Sequence, residues 1–437
     1  MNKLDRKELI HISVMLFGLF FGAGNLIFPP LLGNQAGSST LIALISFSVT
    51  AVIFPVLGVI AVSKTQGLTN LSSRVGKKFA IIYSTIIFLS IGPGLAIPRA
   101  GSVPFEMAVA PYLPEDINII PIRITYTFIF FLFAYLISIK PNKLIKNVGK
   151  ILTPALLILI IYMFYKALSN PNIVVDPVGD YAVNPISKGF IQGYNTMDAI
   201  AALNFGLVIS LSIKGLGIED EKEITKYTLK SGIIAGVLLF IVYGMLAYIG
   251  ASTSSYLVGA ENGAVILSKA MANFGILGVI LLASIFFLAC LTTCVGLITS
   301  GGEYFNSLSK NKLSYKIWVF ILSFTSFITS NFGLDAILSV SIPVLSVIYP
   351  VALILILMGI SHDLVEYPRS AYVITTIISI ILPLIFTLNN SNIFIPILSP
   401  LEMSLPLANK GLSWVVPSII SVFIFTIIDK VKIKKGI

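Results

Sequence analysis

The stretch GLFFGAGNLIFPP, Gly18 to Pro30, lies in one of the most apolar parts of the chain, yet it collects three glycines, an asparagine and a Pro-Pro pair. In hydrocarbon an unpaired backbone N–H or C=O costs several kcal/mol. A spanning helix is therefore interrupted only where the freed groups face protein, water or a ligand. A close helix–helix contact through Gly18 and Gly22 would explain those two glycines. It leaves Ala23, Gly24, Asn25, Pro29 and Pro30 without a reason. A break at about Gly22–Asn25 accounts for all of them.

The membrane setting follows from composition. Of 437 residues 56% are hydrophobic and 11% charged, with a mean hydropathy of +0.96. Soluble domains carry about 25% charged residues. Apolar runs of roughly 18–25 residues recur from end to end, each long enough to cross the hydrocarbon. Read between charged or Pro/Gly-rich breaks, they predict twelve spans, at about 9–32, 38–63, 79–104, 120–139, 150–168, 189–213, 228–252, 275–301, 315–331, 334–358, 370–388 and 411–428. The prediction is an all-α polytopic membrane protein forming one domain over 1–437, with the apolar start read as the first span rather than a cleavable leader.

Charge placement orients the chain. With a cytoplasmic N-terminus, all but six of the 29 basic residues fall in cytoplasmic segments, the exceptions being Arg99, Arg123, Lys166, Lys188, Lys269 and Lys410. This asymmetry predicts both termini on the cytoplasmic side of the cell membrane. The net charge of +10 is thus a topology signal, and it implies contact with anionic lipid rather than nucleic-acid binding. Cys290 and Cys294 read as small apolar filler, and His11 and His362 lie too far apart in sequence to suggest a metal site. No nucleotide-binding, metalloprotease or nucleophile-elbow motif occurs, so neither an ATP-driven pump, an ATPase subunit nor an enzyme is implied, and no cofactor. Of the external loops, 253–275 has an amphipathic middle that predicts a short helix over the outer face.

A second interrupted segment lies in span six. GYNTMDAIAALNFGLVIS (193–210) places Asp198, Asn204 and Gly206 inside an apolar stretch. Interruptions in spans one and six, five apart, fit a five-plus-five inverted repeat whose discontinuous helices form a midplane site. The repeats would cover about 9–168 and 189–358, with two further helices at about 370–428. The outer half of span one, starting near Gly24–Leu26, offers free N–H groups and a positive dipole end suited to a carboxylate. The inner half offers free carbonyls around Gly18 to Phe21, suited to a small hard cation. In span eight, Thr292 and Thr293 either bond back to carbonyls four residues earlier or add hydroxyl ligands for that cation.

FGAGNLIFPP in the first span, IPRAGSVPFEMAVAP (97–111) and GYNTMDAIAALNFG together resemble the branched-chain amino acid:cation symporters, the system II carrier proteins. The resemblance covers the whole chain. It implies a LeuT-like fold and import of leucine, isoleucine and valine with sodium or protons. By position it implies Gly22, Ala23, Gly24 and Asn25 at the substrate break. It places the Gly18 and Phe21 carbonyls, with Thr292 and Thr293, at the sodium site of the wider superfamily. Asp198 and Asn204 complete the candidate substrate set. Asp198 has three open roles: binding the substrate ammonium, lying near the cation, or capping the second half of span six. Arg99 and Glu106, seven apart near the outer end of span three, read either as an ion pair or a snorkelling arginine, or as an external gate. Asp335 shares that ambiguity. The alternatives are a symporter of the same fold for a nucleobase or another amino acid, and a cation channel, for which no charge ring or filter loop is visible.

Overall fold

The computed structural model describes residues 4–114, 116–169, 173–260, 262–272 and 274–435, and these fold as helices with no strand among them. Each of the twelve predicted segments falls on a helix. Eight helical stretches are individually long and apolar enough to cross a bilayer, or nine when one bent pair is counted as a span. The smaller number has local causes. Span one is split into two short halves, Tyr315–Ser330 has 16 residues, and Ala23–Lys64, which holds the outer half of span one and all of span two, is a single helical stretch with a turn inside it. That turn is at Gly37, whose φ of +49° favours glycine and whose missing side chain lets the Val175 carbonyl approach.

Eight helices position the site. Span one is α1 (Arg6–Phe20) followed by α2 (Ala23–Ala36). Span three is α3 (Lys77–Leu89) and α4 (Ala96–Ala108), separated by a wide turn over Ser90–Gly94. Span six is α5 (Pro185–Tyr194) and α6 (Asp198–Lys214), bent by 42°. Spans seven and eight are the long α7 (Glu221–Ser252) and α8 (Gly275–Leu308).

Both interrupted spans are held by bare backbone. Gly33 on α2 sits against the Ala247 carbonyl of α7, and Gly250 on α7 sits against the Pro30 carbonyl of α2. A side chain at either position would force the helices apart, as small residues at membrane-helix contacts are placed to avoid. Span six lies along span two in the same way. Gly189 and Gly193 back onto the carbonyls of Ala43 and Phe47, while Gly206 meets Val62 at 2.7 Å from the place a Cβ would occupy. Gly206 is thus a packing position, not part of the break. Pro29 and Pro30 lie inside α2 rather than at the interruption, contrary to the sequence reading. As neither has an N–H to donate, they release the carbonyls of Asn25 and Leu26 from the helical ladder.

Outward-facing Leu41, Ile45, Phe128, Leu132, Ile158, Phe320 and Phe324 are exposed, as a lipid-facing surface requires. The predicted external helix is present as Gly263–Ala272. Cys290 and Cys294 are buried free thiols.

Candidate functional site

The first break is at Phe21–Gly22. The Phe21 N–H still bonds to the Phe17 carbonyl, at 2.9 Å, but Gly22 is extended and its N–H turns to the Asn25 Oδ1, at 3.1 Å. Two consequences follow. No donor among the described residues reaches the carbonyls of Gly18 and Phe21. The first-turn N–H groups of Ala23, Gly24 and Asn25 have no partner within α2. The second break spans Asn195–Met197. Met197 holds a left-handed conformation at φ 68°, unusual for a residue with a side chain, and α6 begins at Asp198.

Asn25 and Asp198 tie the breaks together. The Asn25 Nδ2 group donates to Asp198 Oδ2 and to the Tyr243 hydroxyl, and Tyr243 in turn donates to Asp198 Oδ2 at 3.3 Å. All three residues are buried. Asn25 therefore has its amide occupied on both sides, and only its backbone is free for a ligand. Asp198 occupies the first helical position of α6, and Met197, the residue at the cap position, makes no side-chain cap. A carboxylate there favours the positive end of α6. Its hydrogen bonds go to side chains from spans one and seven, so of the three roles the capping one does not describe its contacts.

One cavity opens between the breaks. Gly22 to Asn25 and Thr196 to Asp198 form its two backbone walls. Phe20, Ile91, Leu95, Leu297 and Leu345 supply apolar sides. Arg99 projects into it from α4. One guanidinium nitrogen lies 3.7 Å from Met197 Sδ, and the other lies 3.4 Å from the place a Cβ on Gly24 would occupy. Glu106, predicted to share a face with Arg99, pairs instead with Arg123 at 3.4 Å. Both residues lie on α4, two turns apart, so each meets what lies at its own level: Arg99 the cavity, Glu106 the arginine of the neighbouring helix. Glu106 and Arg123 line a separate, more open depression with Lys269 and Phe332.

The two threonines of α8 separate cleanly. Thr292 bonds back to the carbonyls of Leu288 and Ala289, at 3.1 and 3.0 Å. The Thr293 hydroxyl is buried, lines the cavity, has no hydrogen-bond partner among the described residues, and would sit 2.9 Å from a Cβ on Gly22. A further buried hydroxyl without a partner, Thr153, lies directly against Gly18. Asn204 is buried with Oδ1 unpartnered, but it lies off the cavity. The Asp335 side chain falls outside the described residues.

Three contributors escaped the sequence reading. The interruption of span three was legible in SIGPG (90–94), where Gly92 and Pro93 break the helix that presents Arg99. Thr153, just before Pro154, and Tyr243, inside an even apolar run, offered no pattern; only the tertiary arrangement brings them to the breaks.

The chain from residue 5 to 432 matches the family model described as branched-chain amino acid transport protein. It is 40% identical over 423 residues to the branched-chain amino acid permease BrnQ of Bacillus subtilis (strain 168), covering 96% of each chain. It is 37% identical over 425 residues to a permease of the same name from Lactobacillus delbrueckii subsp. lactis, covering 95% of each. To the branched-chain amino acid transport system 2 carrier protein of Pseudomonas aeruginosa it is 35% identical over 436 residues, covering 98% of each. These relatives are named as permeases and carriers, not enzymes. Two solved structures share the fold. MHP1, a nucleobase-cation-symport-1 family transporter in a closed conformation with bromovinylhydantoin bound, superposes with a TM-score of 0.58 at 12% identity, covering 94% of this chain and 91% of that one. MhsT in complex with L-phenylalanine gives 0.53 at 14% identity, covering 94% and 98%. With interrupted first and sixth spans, the LeuT-like arrangement and a family match over nearly its whole length, the chain is a multi-pass membrane protein of the branched-chain amino acid transport family.

Proposed function

We propose that the protein imports leucine, isoleucine and valine across the bacterial plasma membrane by alternating access, coupled to sodium or protons, with both termini cytoplasmic. The observation that carries this reading is the paired break. Free N–H groups at Ala23, Gly24 and Asn25 face the same cavity as the buried carboxylate of Asp198, so acceptor and donor needs of an amino acid's two charged ends are met on opposite walls. The apolar sides suit a branched aliphatic chain, which gains about 25 cal/mol for each Å² it removes from water. The substrate set is Gly22, Ala23, Gly24, the Asn25 backbone and Asp198. Asn204, away from the cavity, serves the packing of α6.

For the coupling ion, the free carbonyls of Gly18 and Phe21 and the unpartnered Thr293 hydroxyl supply hard oxygen donors of the kind sodium prefers. Thr292 is spent on its own helix. The two interrupted spans begin the two inverted repeats, about 9–168 and 189–358, whose relative rocking would open the cavity to either side.

The test is uptake of radiolabelled leucine into proteoliposomes containing the purified protein. Unlabelled leucine, isoleucine and valine should compete, and an imposed sodium or proton gradient should drive accumulation. Competition by cytosine or alanine but not leucine would assign the site to another substrate, and non-saturating flux would make it a channel.

A further inference from the structure

We propose that Arg99 is the carboxylate anchor of the substrate site, so that an amino acid lies bridged between Arg99 and Asp198. This rests on the amino-acid reading above and adds to it a charged residue from a third span.

Four observations converge. Arg99 and Asp198 both line the cavity between the breaks. Neither takes part in any of the ion pairs found among the described residues, although each carries a charge opposite to the other. Among the described residues the Arg99 guanidinium donates only to the Met197 thioether, at 3.7 Å, a weak acceptor that leaves most of its five N–H donors free. Its second nitrogen lies over Gly24, beside the free N–H groups that open α2. A half-buried guanidinium with no carboxylate within ion-pairing distance is unfavourable in proportion to its burial. A ligand carboxylate in the cavity would supply the missing anion. Arginine's planar fork fits a carboxylate with two parallel hydrogen bonds. The gap between two unpaired opposite charges then matches a zwitterion: carboxylate on Arg99 and the α2 N–H groups, ammonium on Asp198, side chain against Leu95, Leu297 and Leu345.

The experiment compares binding of L-leucine and L-leucinamide, which keeps the ammonium and side chain but lacks the carboxylate. Affinities are read on purified full-length protein by competition against radiolabelled leucine, with thermal shift confirming that each variant is folded. In the unaltered protein leucine should bind roughly 10- to 100-fold more tightly than leucinamide, the range for losing a charge-assisted hydrogen-bonded contact. Arg99→Gln should cut that ratio sharply, to what the α2 N–H groups alone supply, by weakening leucine while leaving leucinamide unchanged. Arg99→Lys, which keeps charge but not the fork, should give an intermediate ratio and serves if the glutamine variant does not fold. A full preference for leucine retained in either variant, or an equal loss of both ligands, would overturn the anchor. If the unaltered protein binds no leucine at all, the amino-acid reading itself fails, and the anchor with it.

Discussion

Asn25 and Asp198, 173 residues apart in the chain, share a side-chain hydrogen bond between the first turns of the two half-helices that meet at the cavity. Tyr243 of α7 bonds to both. The two breaks are therefore not independent irregularities. One amide side chain satisfies the Gly22 N–H on one side and Asp198 on the other. A buried network of this type rigidifies when every member is satisfied and is costly when one is removed.

Asn25→Ala should abolish leucine uptake and lower stability by about 1–3 kcal/mol, the penalty of leaving buried polar groups unpaired. Tyr243→Phe removes one hydroxyl, donor to Asp198 and acceptor from Asn25, and keeps the ring, which stacks on Phe21 and meets Phe47 edge-on, so it should be milder on both counts. Uptake into proteoliposomes and thermal unfolding of the purified protein check the order. A tyrosine variant more damaged than the asparagine one would place the centre of the network at α7 instead.

Thr293→Ala should raise the sodium concentration giving half-maximal uptake, whereas Thr292→Ala should leave it unchanged. The reason is geometric: Thr292 spends its hydroxyl on the carbonyls of Leu288 and Ala289, while Thr293 has no partner and faces Gly22. Sodium titration of initial uptake rates decides it. Equal shifts in both variants would remove the distinction, and no shift in either would return both threonines to packing.

The glycines of the first break should differ in tolerance. A methyl at Gly22 would stand 2.9 Å from the Thr293 hydroxyl, so Gly22→Ala should impair transport. At Gly24 the nearest atoms, on Arg99 and Thr196, lie at 3.4 Å, which is ordinary contact, and Gly24→Ala should be accommodated. Gly24→Val should abolish uptake at normal abundance, because its branches would fill the space before the α2 N–H groups. Leucine transport by the valine variant close to that of the parent would dismiss this wall of the cavity as a binding surface.

Much of this architecture was legible in the sequence because hydrocarbon permits so few solutions for a backbone. Glycine, asparagine and aspartate within apolar runs announced the breaks at Gly22 and near Asp198, since such residues are tolerated there only for a reason. Side-chain direction was not legible. Arg99 and Glu106 lie on one face of α4 but two turns apart, and the sequence does not say what each level meets: Arg99 faces the cavity, and Glu106 pairs with Arg123. Asn204 looked equivalent to Asn25 by residue type, yet it sits two turns into α6 and away from the cavity. Pro29 and Pro30 were read as part of the break, whereas α2 absorbs them by leaving two carbonyls free.

Orientation rests on the basic residues, and it has its own test. Reporter fusions after Asn262, next to the helix Gly263–Ala272, should report the outside. Fusions after Lys310, in the turn following α8, should report the cytoplasm. The opposite pattern would invert the protein and place the α1 side of the cavity outside.

Asp198→Asn separates charge from shape at the second break. Asp198 lies at the first helical position of α6, buried, with Oδ2 accepting from Asn25 and Tyr243. An asparagine there retains an oxygen able to accept from both partners, so the network and the fold should survive, and the variant should be abundant and monodisperse. What it loses is the negative charge that the substrate ammonium would meet in the cavity, where a charge-assisted hydrogen bond is stronger than a neutral one. Leucine uptake should therefore fall at least roughly tenfold, in line with the energy of such a bond. Asp198→Ala, which also leaves Asn25 and Tyr243 without their acceptor, should in addition lower the unfolding temperature. Radiolabelled uptake, with abundance measured by size-exclusion chromatography, distinguishes the two effects. Near-normal uptake by Asp198→Asn would show that the carboxylate serves only to join the half-helices, and the ammonium would need another partner.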